Sequence, residues 1–118
     1  MSPEAVSQLP VQLIPPIVLQ FTCLTGLFSH PDVESISEEL LWNSKGGAIA
    51  LIAPTSLTLP GDQSLLSQEL AVQMGSTENK RLGDLLLNAW RAAAEKPVEI
   101  NDVIRTFALL GDPGLLLP

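Results

Sequence analysis

The sequence predicts an α/β fold: a sheet containing two or three parallel strands, with helices packed over it. Residues 48–53 (AIALIA) are apolar at every position, the pattern of a parallel strand covered on both faces. A second apolar, β-favouring run, residues 17–22 (IVLQFT), precedes it, and a helical periodicity lies between. Strand, helix and strand within about 35 residues make a βαβ unit, whose two strands run parallel and whose crossover is almost always right-handed. Composition agrees: of 118 residues 46% are hydrophobic and 16% charged, with a mean hydropathy of +0.30, whereas ordinary soluble domains carry about 25% charged residues.

Residues 1–16 are rich in Ser, Pro and Gln and read as an irregular lead-in that ends at Pro15-Pro16, where the fixed φ of proline stops a helix. Order is expected to begin near Ile17. After a turn at residues 23–26, Val33, Ile36, Leu40 and Leu41 have helical spacing, and Ser35 with Glu38 has the spacing of a capping box, so a helix is expected over 33–42. Gly46-Gly47 supplies a positive-φ stop before the apolar strand. A loop, PTSLTLPGD, leads to a helix near 63–74, with Asp62 as its expected N-cap and Gly75-Ser76-Thr77 as its interruption. The strongest periodicity is RLGDLLLNAWRAAAEK, where Leu82, Leu85, Leu86, Ala89, Trp90 and Ala93 share one stripe. A short helical turn and a third strand over 106–110 follow, closed by the turn Gly111-Asp112-Pro113-Gly114.

Thirteen acidic residues against six basic ones give a net charge of −7. Apart from Lys80-Arg81 the basic residues are scattered, so there is no phosphate-neutralising patch and nucleic acid is not expected as a partner. One cysteine and one histidine exclude an internal disulfide and a Cys/His zinc site made by this chain alone. Gly46-Gly47 lacks phosphate-loop spacing, and no cofactor is expected. There is no signal-like basic leader and no apolar run of the ~20 residues needed to span a membrane. The default expectation is a cytoplasmic protein without membrane association, or an extracellular one if these residues belong to a longer exported chain.

Cys23 follows the first strand directly, at the carboxyl end of the expected parallel sheet, where open α/β sheets place their sites. A nucleophilic thiolate needs a lowered pKa, a nearby base and backbone N–H donors for the oxyanion. The alternative is an inert cysteine in an apolar setting. His30 reads as a solvated loop histidine against a catalytic one. Trp42 and Trp90 fall on apolar stripes and are expected in the core rather than in a ligand cage. Glu34, Glu38 and Glu39 read as the wet face of their helix.

Three separated motifs, FTCLTGLF, ESISEELLWNSKGGAIALIAPTS and TFALLGDPGLLL, together resemble the C-terminal half of the catalytic domain of gingipain-type cysteine peptidases of the caspase-like clan, over about residues 9–117. The resemblance implies a three-layer αβα caspase-like half-domain over 17–118, with Cys23 as the nucleophile and its N–H at the oxyanion site. It places the general-base histidine upstream of this sequence, at a position His30 does not match. It also implies that Thr55 and Ser56 wall the pocket for the substrate side chain preceding the scissile bond, although the same residues read as an ordinary strand exit. Asp62 could face a basic substrate side chain instead of capping a helix, and Asp112 reads as a turn residue. Two functions are therefore carried forward. One is the nucleophile-bearing portion of a gingipain-like endopeptidase acting on peptide or protein substrates, essentially inactive without its base. The other is a truncated, non-catalytic fragment that self-associates or binds a partner supplying the missing half.

Overall fold

The computed structural model describes residues 3–76, 80–97 and 101–117, so Thr77 of the expected interruption lies outside the described residues. In chain order the elements are α1 (Pro3–Ser7), β1 (Ile17–Leu19), α2 (Ile36–Trp42), β2 (Ala50–Pro54), α3 (Pro60–Met74), α4 (Leu82–Ala94), α5 (Asn101–Thr106) and β3 (Phe107–Gly111). The strand order is β1-β2-β3. The β1–β2 pair is parallel, as the βαβ pattern requires, with Val18 opposite Leu51, and the two strands are direct neighbours. β3 runs antiparallel to β2, with Leu51 opposite Leu110, which makes the sheet mixed. The short α5 turns directly into β3, so the chain enters the sheet at Phe107 beside the end of β2, opposite Pro54.

Strand alternation sorts the core into two layers. Leu51, with Val18 and Leu110 at matching positions, packs against Val6 of α1 and Leu40 of α2. Ala50 and Ile52, with Ile17, Leu19 and Leu109, face Leu66 and Leu70 of α3, Leu82, Leu85, Leu86 and Ala89 of α4, and Val103 of α5. All five residues of β2 are buried. Helices therefore cover both faces, giving the three-layer arrangement that a strand apolar at every position needs.

Several elements differ from the sequence expectation for identifiable reasons. Within the expected lead-in, Pro3–Ser7 forms α1 because Val6 finds an apolar site under α2 and becomes 1% exposed. α2 starts at Ile36, not Val33: the Ser35–Glu38 capping box forms as expected and fixes the helix start, leaving Val33 exposed. That helix ends at the extended Asn43, and the positive φ of Gly46 (+106°) falls in the following turn instead. Asp62 is not the N-cap of α3. Leu59 holds that position and Pro60 the first turn, where its missing N–H costs nothing and its φ is preset. Trp42 is 73% exposed, contrary to its expected core position, because α2 buries Ser37 and Leu40 instead. Trp90 is half-buried against the α3–α5 layer.

Gly111 closes β3 at φ +124°, and a Cβ there would stand 2.9 Å from Ala50 Cα, so both conformation and space demand glycine. Leu51 is fully buried at the centre of the sheet. Leu51→Ala is expected to lower stability by about 2–5 kcal/mol through lost transfer energy and a residual cavity, read as a lower urea midpoint. A change within experimental error would contradict the two-layer core.

Candidate active site

The pairing of β1 with β2 continues one residue past the strand, Gln20 N–H donating to Ile52 O at 2.9 Å. Phe21 then tilts onto Phe107, with ring centroids 5.7 Å apart. This carries Cys23 to the carboxyl end of the parallel pair, where the sequence places it. Cys23 is exposed, which removes the inert-core alternative. The turn that holds it is tied to the exit of β2: Leu24 N–H donates to Ser56 O at 3.4 Å and Gly26 N–H to Pro54 O at 2.9 Å. Gly26 is buried, and a Cβ on it would lie 3.0 Å from Ala53 Cβ, so the C-x-x-G spacing brings backbone against backbone. Leu24 adopts φ +62°, a left-handed conformation that costs a branched side chain about 1–2 kcal/mol.

Both helical layers grip the turn. On one face Ser37, fully buried in the first turn of α2, donates its N–H to Thr25 O at 3.0 Å and its hydroxyl to Gln20 Oε1 at 2.7 Å. On the other, Gln63 in the first turn of α3 is only 5% exposed. Its Nε2 donates to Thr22 O at 2.8 Å and to Thr58 Oγ1, and lies 4.0 Å from Cys23 Sγ. The thiol itself points at Thr58 O, 3.5 Å away. On the α2 side Cys23 borders a cleft of about 320 Å³ walled by Leu24, Leu27, Val33 and Ile36, with His30 and Glu34 also on it.

The sequence-predicted residues divide clearly. His30 lies on the cleft that Cys23 borders, but it is exposed and its Nδ1 accepts from Asp32 N–H at 3.2 Å. In the neutral ring this assignment puts the proton on Nε2, which is then a donor and not a base. Thr55 and Ser56 do follow β2, yet they differ: the Thr55 hydroxyl donates to Thr106 O at 2.7 Å, whereas Ser56 is exposed. Asp62 is half-buried in the first turn of α3. Asp112 Oδ1 accepts from Gly114 N–H at 2.7 Å, the turn role expected of it.

Sequence reasoning missed Gln63 and Thr58, both buried. Gln63 carried a signal: it sits on the same stripe as buried Leu66 and Leu70, a polar residue at an inward helix position that has to find partners. His30→Ala is expected to leave the rate of Cys23 alkylation by iodoacetamide unchanged; marked slowing would identify His30 as a base acting on the thiol.

The sequence matches the family model described as Peptidase family C25 over residues 1–118. No curated protein matches it. Among solved structures, the fold is similar to one titled a complex of Porphyromonas gingivalis RgpB pro- and mature domains, at a TM-score of 0.86 and 22% identity, covering 98% of this chain and 29% of that one. It is also similar to a crystal structure of the Arg specific cysteine proteinase gingipain R, at a TM-score of 0.77 and 22% identity, covering 98% of this chain and 28% of that one. The three-layer arrangement is thus the caspase-like gingipain fold, and the chain spans less than a third of the length of these structural neighbours.

Proposed function

The chain belongs to peptidase family C25, and on that premise we propose that it is the nucleophile-bearing portion of a gingipain-like cysteine endopeptidase domain, with Cys23 as the attacking group. The observation that carries this reading is the exposed thiol of Cys23 at the carboxyl end of a parallel strand pair, in a turn fixed from both faces. In the proposed reaction Sγ, as thiolate, bonds to the scissile carbonyl carbon and the carbonyl π pair moves to oxygen. The Cys23 N–H donates to that oxyanion. Collapse expels the amine, which takes its proton from an imidazolium, and water then hydrolyses the thioester. The histidine that supplies the base and acid is assigned to sequence outside these 118 residues, since His30 is exposed and its Nδ1 accepts from Asp32 N–H.

Thr55 and Ser56 are assigned to the wall of the pocket for the side chain preceding the scissile bond. With its hydroxyl held by Thr106 O, Thr55 contributes shape, and exposed Ser56 contributes a polar group. Labelling with an arginyl acyloxymethyl ketone, read by intact mass, tests the nucleophile. Native protein is expected to acquire one adduct at Cys23 faster than urea-unfolded protein does, and Cys23→Ala to acquire none. Slower labelling of the native form would sink the reading.

A second reading, a non-catalytic interaction module, is favoured by one feature. β1 lies at the sheet edge beside an apolar groove of about 480 Å³ lined by Ile14, Ile17, Ile49, Met74, Leu115 and Leu117. Unpaired strand edges and apolar patches of this kind bind other chains. On this reading the protein runs above its 12.6 kDa monomer mass in sedimentation; a concentration-independent monomer would count against it.

A further inference from the structure

The contacts of Gln63 extend the site beyond the thiol. The peptide bond between Thr22 and Cys23 is trans and planar, so its C=O and N–H point in opposite directions. Gln63 Nε2 holds the C=O end, donating to Thr22 O at 2.8 Å from a buried position on α3. The same nitrogen donates to Thr58 Oγ1, which fixes the carboxamide in place. The other end of the peptide unit is the Cys23 N–H, which makes no hydrogen bond among the described residues. A backbone donor left unpaired in an exposed turn, with its carbonyl anchored behind it, is oriented before any ligand arrives.

We propose that Gln63 is a positioning residue that aims the Cys23 N–H at the oxygen of a carbonyl attacked by Cys23 Sγ. This rests on the reading of Cys23 as the nucleophile. Gln63 does not touch the reacting atoms. It acts by fixing the plane of the Thr22–Cys23 peptide, so that donor and sulfur reach the carbonyl together. Without the bond to Thr22 O, no hydrogen bond among the described residues holds that peptide unit directly, and its plane depends on the turn contacts of Leu24, Thr25 and Gly26. Removing a single oxyanion donor typically costs about 10²–10³-fold, and loosening its orientation forfeits part of the same effect.

The test compares two reagents on the same thiol. In binding acetyl-leucyl-leucyl-argininal, Sγ bonds to the aldehyde carbon, the π pair passes to oxygen, and the thiol proton ends on that oxygen, which the Cys23 N–H then contacts. Iodoacetamide is attacked at a saturated carbon with loss of iodide and develops no oxyanion. Gln63→Met, which removes the donor without placing a charge beside Sγ, is expected to weaken aldehyde binding by about 10²-fold while slowing iodoacetamide alkylation far less. Equal losses in both would make Gln63 merely structural, and no loss in either would remove it from the site. Independently of any variant, the amide proton of Cys23 in the wild-type protein is expected to move downfield in a ¹H–¹⁵N spectrum when the aldehyde binds. An unmoved amide in a protein that has formed the adduct overturns the positioning role alone. Aldehyde binding that survives Cys23→Ala, or that is absent from the wild type, overturns the nucleophile reading on which the role rests.

Discussion

β2 is buried along its whole length and paired on both edges, and every other part of the fold answers to that constraint. A strand with no wet face needs an apolar layer above and below it, or its burial cannot offset the entropy of ordering the chain. The α1–α2 layer takes Leu51, and the α3–α5 layer takes Ala50 and Ile52. Small residues at Ala50 and Ala53 let backbone approach closely, Gly111 on one side and Gly26 on the other. The same strand thus sets the core and the place where the cysteine turn is fastened.

The site arises where the two layers meet the end of the sheet. Ser37 from α2 and Gln63 from α3 hold opposite ends of the same short turn, Thr25 by its carbonyl and Thr22 by its carbonyl, with Cys23 between them. Loops mounted on rigid elements hold reacting groups more closely than free loops do. The left-handed Leu24 persists because these anchors over-determine the turn. The low charge content has a visible counterpart on the surface: Leu13, Ile14 and Trp42 are exposed at 95%, 87% and 73%, and among the described residues β1 is an edge strand of the sheet. On the second reading proposed above, the apolar groove beside β1 is where another polypeptide would bind.

Local pattern alone determined much of this protein. The all-apolar run identified the central strand, the Ser35–Glu38 spacing produced its capping box, and the stripe from Leu82 to Ala93 produced α4, because each depends on residues adjacent along the chain. Cys23 was legible for the same reason: a strand followed by a small-residue turn puts its side chain at the end of the sheet. What tertiary structure decided were the choices that local sequence leaves balanced. Val6 orders α1 only because α2 offers it a site, Trp42 lies outward because Ser37 and Leu40 take the inner face, and β3 runs antiparallel to its neighbour. The partners of Gln63 lie 5 to 41 residues away in sequence, and no local pattern encodes which carbonyl a buried amide will meet when two layers close on one turn.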